Sequence, residues 1–303
     1  MGELAAGGTA VLWAMSSLLF TQGGKRIGAE SVNLIRLYFG MLFIVITHWT
    51  MTGVPIDMEV EGWRHVVLLI SAFVGLVIGD GALFYAFVLI GARLSMLLMS
   101  LVPVFSAIFA RLCFNERLST PEVAAICFSV LAIAYVVGEK RNDSSDSADK
   151  VTRSDFAWGV SLSLVGVIGQ TGNLIITKYA LVDNFSTLSA TEIRILYSML
   201  ILTIWAIFRG QLGNILSHFR DGKSMLILAV GAFVGPFVGI WLSYIAINET
   251  RVAIASVIMA TPPLLLIPLS AYFFGEKMTV RSVAGTICAF TGIACLIWLQ
   301  RSQ

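Results

Sequence analysis

Ten apolar runs follow one another with little polar sequence between them: 4–22, 32–51, 65–89, 93–113, 121–138, 156–180, 189–208, 224–247, 252–274 and 280–299. A helix that crosses a bilayer needs about 17–25 such residues. Lipid offers no partner to an unpaired N–H or C=O group, so each run is expected to be a helix. Charge is too sparse to cover a water-facing surface: 13% of the 303 residues are charged, against about 25% in an ordinary soluble domain. The first run, Leu4 to Phe20, has neither a basic leader nor a small-residue cleavage site and is expected to be the first span. The expected fold class is an all-α integral membrane protein with ten transmembrane helices, and its first partner is the lipid bilayer.

Several functions are excluded at this stage. The net charge of +2 is small and the basic residues lie in loops, which argues against nucleic acid as a partner. His48, His65 and His218 are scattered, and Cys113, Cys127, Cys288 and Cys295 sit in or beside apolar runs without metal-ligand spacing. No metal site and no cofactor is expected. The chain carries no Gly-rich phosphate loop, Ser-His-Asp set or paired-Cys motif, so neither ATP hydrolysis nor catalysis is expected.

One polar stretch interrupts the apolar pattern, GEKRNDSSDSADKVTRSD at 138–155, close to the middle of the chain. It divides the sequence into 1–138, a linker at 139–155, and 156–303. The two long segments are copies of each other at an offset of 160: Ala72-Phe73-Val74-Gly75 returns as Ala232-Phe233-Val234-Gly235, Gly79 as Gly239, Met99 as Met259 and Pro103 as Pro263. Phe114 and Glu116 return as Phe274 and Glu276, while Ile35-Arg36 matches Ile193-Arg194 at an offset of 158. Chance matching of apolar segments does not hold one register over several helices. With five spans in each copy, an odd number, the second copy enters the membrane from the opposite side. Inverted repeats of this kind build many secondary transporters, with the binding site near midplane where the repeats meet.

The stretches GARLSMLLMSLVPVFSAIFARLCFNERLS (Gly91–Ser119), TRVAIASVIMATPPLLLIPLSAYFFGEKMT (Thr250–Thr279) and NLIITKYAL (Asn173–Leu181) resemble the drug/metabolite transporter superfamily, specifically its ten-helix members with two EamA domains. The resemblance covers nearly the whole chain. It implies an exporter or exchanger of small metabolites, often amino acids, whose first, third, fourth, sixth, eighth and ninth helices line a central cavity.

Candidate residues follow from polarity placed inside lipid. Asp80 lies within the third span, where a carboxylate costs on the order of 2.5–3.5 kcal/mol to insert and should face a cavity or a partner. It can serve as a proton or ammonium site, or pair with a basic residue such as Arg93. Its counterpart in the second copy is Ile240. Polar and aromatic residues at helical spacing add Trp13, Ser16 or Ser17, and Phe20 on the first span; Phe84 and Phe87 on the third; and Ser95, Met99 and Ser100 on the fourth. They also add Gln170, Asn173 and Thr177 on the sixth, and Trp241, Tyr244 and Asn248 on the eighth. The same pattern is compatible with helix packing in which Ser and Asn bond across helices. Arg36, Arg194 and Lys178 stand near span ends, where they either snorkel to the interface or engage a gating helix or a substrate carboxylate. Gly75, Gly79, Gly235 and Gly239 permit close helix approach and are expected to let the third and eighth spans slide during gating. Pro103 and Pro263, with Pro262 and Pro268, are expected to kink the fourth and ninth spans. Glu116, Arg117, Glu276 and Lys277 are expected as interfacial caps.

The functional expectation is a secondary transporter, with a small amphipathic molecule as substrate and protons as a candidate coupling ion. A nucleotide-sugar or phosphorylated-sugar exchanger, a pore and a receptor are the alternatives. A multi-pass protein of a bacterial inner membrane is expected, and the oligomeric state is open. Loops after odd spans carry most of the Lys and Arg, which places them in the cytoplasm and both termini outside. The resemblance implies the reverse, with cytoplasmic termini.

Overall fold

Long apolar runs fold here as helices. The computed structural model describes residues 1–56, 60–114, 152–250, 258–274 and 279–301, together with Ala255 and scattered positions from 120 to 135, and no strand occurs among the described residues. The chain opens with α1 (Gly2–Ile27) and α2 (Ala29–Thr52). α3 (Gly62–Ala72) then passes through a π-helical turn, Phe73–Gly79, into α4 (Asp80–Met99), and α5 (Val102–Phe114) follows. The second part begins with α6 (Arg153–Ala180), α7 (Thr187–Phe208) and a short α8 (Leu212–Ser217). It continues with α9 (Gly222–Ala232), a π-helical turn at Phe233–Gly239, and α10 (Ile240–Glu249). α11 (Pro262–Phe274) and α12 (Val280–Arg301) close the described chain.

Helix starts are set by local side chains. Thr152, Ser186 and Asp221 accept bonds from the backbone N–H groups of Asp155, Ser189 and Ser224, capping α6, α7 and α9. Gly91 divides α4 with φ of 81° and ψ of 161°, a conformation closed to residues with a Cβ, and so separates the expected third and fourth spans within one 62–99 stretch.

Six helical stretches among the described residues are long and apolar enough to cross a membrane: Gly2–Ile27, Ala29–Thr52, Gly62–Met99, Arg153–Ala180, Thr187–Phe208 and Gly222–Glu249. The expected count of ten is thus not reproduced by length alone. The expected fourth span is interrupted after Met99, and α5 and α11 are 13 residues each. Half of the expected fifth span, most of the 139–155 linker, and Glu116, Arg117, Glu276 and Lys277 lie outside the described residues.

Pro103, Pro262 and Pro263 act differently from the expectation, whereas Pro268 falls inside α11. Pro103 is the second residue of α5, and Pro262 and Pro263 open α11. In a first turn proline forfeits no helical bond, so these residues start new helices rather than bend continuous ones.

Packing leaves apolar side chains such as Val11, Met15, Leu42, Ile46, Trp205 and Phe208 exposed on the outside, the surface that faces lipid. Inside, Leu37, Ile44, Leu68, Leu174, Ile193, Ile195, Tyr244 and Ile247 belong to one buried cluster. The bounds of α3, its π turn and α5 recur 160 residues later in α9, its π turn and α11. Two polar clasps tie the parts together. Arg26 at the end of α1 bonds Asp221 (3.1 Å) and Ser224 (3.1 Å) at the start of α9. Arg64 at the start of α3 bonds the carbonyls of Ala180 (2.8 Å) and Val182 (2.9 Å) at the end of α6, with Glu61 at 2.6 Å. Bonds from the Ser224 hydroxyl and amide, aided by Arg26, hold the Asp221 carboxyl down to about 2.

Candidate functional site

The two π turns flank a cavity. A π turn adds a residue to the helix without breaking it, which frees carbonyls and re-aims the side chains that follow. In α3 the carbonyl of Ser71 accepts from Arg194 at 3.1 Å and that of Ala72 from Ser198 at 3.4 Å, so α7 takes up the bonding that the turn releases. The next helical residue is Asp80, aimed inward.

The cavity holds about 640 Å³ of empty space, its mouth included, between α1, α2, α4, α6 and α10. α1 supplies Trp13, Ser16, Ser17 and Phe20, and α6 supplies Gln170 and Asn173. The α3–α4 stretch gives Leu76, Asp80, Phe84 and Met99, and the α9–α10 stretch gives Pro236, Ser243 and Tyr244. The wall is therefore aromatic and apolar with a few convergent polar groups, the usual composition of a small-molecule site.

Electrostatically the site centres on one ion pair. Arg36 Nη2 bonds Asp80 Oδ2 at 2.8 Å, with the arginine side chain 3% and the aspartate 20% exposed. Asn33 Oδ1 accepts from Nε and Nη2 of the same arginine, and its guanidinium sits 4.6 Å from the ring centre of Phe84. Phe20 and Phe87 meet Phe84 edge-on, completing an aromatic wall. Arg194 lies behind the cavity, fully buried, 5.1 Å from the ring of Tyr244. Neither arginine reaches for the membrane surface, so the snorkelling expectation fails for both. Asp80 pairs with Arg36 on α2, not with Arg93.

Of the residues singled out by sequence, Trp13, Ser17, Asp80, Phe84, Met99, Gln170, Asn173 and Tyr244 line this one space. Ser95, Ser100, Thr177, Lys178, Trp241 and Asn248 do not. Ser95 bonds the carbonyl of Gly91 beside the break in α4. Trp241 donates to Thr187 at 3.3 Å. Lys178 donates to the carbonyls of Ile247 and Asn248, holding the C-terminal turn of α10, where a cation is favoured by the helix dipole.

The glycines stand at close approaches. A Cβ on Gly169 would lie 2.6 Å from the Cα of Gly79, and one on Gly75 2.8 Å from the Cβ of Asn173. On the other side, Gly235 faces Ser16 at 3.0 Å and Gly239 faces Trp13 at 3.1 Å. The glycine pairs thus seat α6 and α1 against the two π turns.

Sequence reasoning missed one buried carboxylate–imidazole pair. Glu192 on α7 and His48 on α2 meet at 2.8 Å, and both are shielded from solvent. The signal was available: Glu192 is a carboxylate within an expected span, the criterion that singled out Asp80.

A cavity with a few polar groups, enclosed by long apolar helices, fits a multi-pass integral membrane protein that handles a small molecule. The sequence profile described as the EamA-like transporter family matches residues 1–138 and again 157–298, and the chain belongs to that family. An uncharacterized transporter of Archaeoglobus fulgidus is 21% identical over 289 residues, 95% of each chain. A solved crystal structure aligns with 99% of this chain and 98% of its own at a TM-score of 0.67 and 14% identity, a likeness of fold alone. Members of the family are transporters rather than enzymes, and a small-molecule substrate and a lipid bilayer are the partners this entails.

Proposed function

We propose that the chain is a secondary transporter that carries a small amphipathic metabolite, an amino acid or a similar solute, by alternating access, with the central cavity as its binding site. One observation carries this reading: the cavity lies where the two copies meet, walled by Trp13, Ser17, Asp80 and Phe84 from the first and by Gln170, Asn173, Ser243 and Tyr244 from the second. Five spans per copy, ten in all, would place the copies in opposite orientations. The matched π turns and the two clasps support that arrangement, because each clasp joins the end of one copy's first helix to the start of the other copy's third. Two copies in inverted orientation can exchange conformations, so that opening at one face becomes opening at the other. The glycines at the π turns would let the third and eighth spans slide as this happens.

Export from a bacterial cell across its inner membrane, with protons as coupling ion at Asp80, is the corresponding physiological reading. A phosphorylated sugar suits the cavity less well, since Arg36, its only lining cation among the described residues, is already paired with Asp80.

The test is counterflow in proteoliposomes loaded with a mixture of the standard amino acids. A carrier gives saturable uptake of label that is accelerated by unlabelled solute on the far side. Flux that is linear in concentration and indifferent to the far side would identify a pore and refute alternating access.

A further inference from the structure

Arg194 presents a chemical problem that the rest of the site does not solve. It is completely buried, yet only Nη2 has a hydrogen-bond partner, the carbonyl of Ser71 at 3.1 Å; Nε and Nη1 have none among the described residues. The hydroxyl of Tyr244 is likewise buried without a partner. The two groups adjoin, with the guanidinium carbon 5.1 Å from the tyrosine ring centre. Donors left unsatisfied in so dry a place are costly and point to an acceptor that arrives. Charge makes the same point. Of the cations around the cavity, Arg36 is neutralised by Asp80 at 2.8 Å, whereas no carboxylate among the described residues lies within ion-pair distance of Arg194.

Both donors are linked to the cavity. Tyr244 lines it, as does Asn173, and a Cβ on Gly75 would touch both Asn173 (2.8 Å) and Arg194 Nη2 (3.1 Å). Tyr244 therefore stands between the cavity and the guanidinium. It is carried on α10, the helix that follows the second π turn.

We propose that Arg194 and Tyr244 form a subsite for the carboxylate of the transported solute. The carboxylate accepts from the tyrosine hydroxyl and from a free guanidinium nitrogen, once the ring turns aside. This deepens the transporter reading above and rests on it. It assigns the Asp80–Arg36 pair to the opposite end of the solute, where Asp80 can receive an ammonium group and the Phe20, Phe84 and Phe87 wall an apolar side chain. The requirement is for a single negative charge.

The experiment uses the whole protein in proteoliposomes and needs no variant in its first arm. Counterflow of the amino-acid mixture is challenged with three sets of competitors: the acids, their carboxamides, and the corresponding amines lacking the carboxyl carbon. The acids should compete at least tenfold better than either analogue. Tyr244→Phe keeps the ring and deletes the donor, and the preference should fall below threefold. Arg194→Lys should raise the acid KM at least tenfold, whereas a purely structural Arg194 would lower protein yield and leave the acid-to-amide ratio unchanged. Equal competition by acid and amide, with saturable flux intact, overturns the carboxylate subsite and leaves the transporter standing. Absence of saturable flux for all three sets overturns the amino-acid reading of the proposed function, and the subsite with it.

Discussion

Removing the carboxylate of Asp80 would strand Arg36, which is 3% exposed and otherwise has Asn33 and the rings of Phe84 and Phe20 beside it among the described residues. Breaking a buried pair from one side costs about 3–5 kcal/mol, whereas replacing both partners by apolar groups is often neutral. Asp80→Asn is therefore expected to lower the unfolding midpoint in detergent substantially, and Asp80→Asn with Arg36→Met to recover most of the loss. Function should divide along the same line. If Asp80 exchanges Arg36 for a proton, Asp80→Asn abolishes uptake driven by an imposed pH gradient but spares exchange, and an unchanged pH response would remove it from coupling. The choice of Asp80 was legible from sequence, since a carboxylate inside lipid demands an explanation. Its partner was not, because Arg36 lies 44 residues away on a helix whose rotation no periodicity fixes. A span that is apolar all round gives no stripe from which its inward face can be read.

The same limit holds for helices. Gly75-x-x-x-Gly79 and Gly235-x-x-x-Gly239 signalled close approach, and the approach is present, but the π turns that carry them have no sequence signature comparable to a cap. The partner of the first turn, Gly169 on α6, went unnoticed because nothing in one chain's sequence says which two small residues face each other. Gly169 is the sharper probe of this contact. A Cβ there would lie 2.6 Å from the Cα of Gly79 and 2.8 Å from the carbonyl oxygen of Val74, and backbone atoms cannot step aside. Overpacking of this kind costs typically 1–3 kcal/mol. Gly169→Ala should lower the melting midpoint, while Gly7→Ala, where a Cβ meets nothing within 4 Å, should leave it unchanged or raised. Equal midpoints for the two variants would show that α6 does not depend on contact with the π turn. Gly239→Leu carries the same idea into function. Its side chain would collide with Trp13, and transport should fall more steeply than stability if the eighth span must slide.

At the scale of the molecule, the two clasps are what the proposed alternating access would work between. Arg26 and Asp221 gather the end of α1 and the start of α9 at one face, and Arg64 gathers the start of α3 and the end of α6 at another. The positive loops after odd spans, with Lys25, Arg26, Arg209, Arg220 and Lys223, belong to the first of these. Positive charge near span ends favours the cytoplasm, so the Asp221 face should be inside and the Asp183 face outside. In a cysteine-free background, Asp183→Cys lies in the turn before α7 and Asn214→Cys in the short α8 that follows it, and both native residues are exposed. A membrane-impermeant maleimide should label Asp183→Cys on intact cells and Asn214→Cys only after permeabilisation. The opposite result would keep the inverted arrangement but place the termini in the cytoplasm, as the family resemblance implies. Labelling of both positions from one side would mean that α7 does not cross, and two inverted copies could not then exchange the cavity between the faces of the membrane.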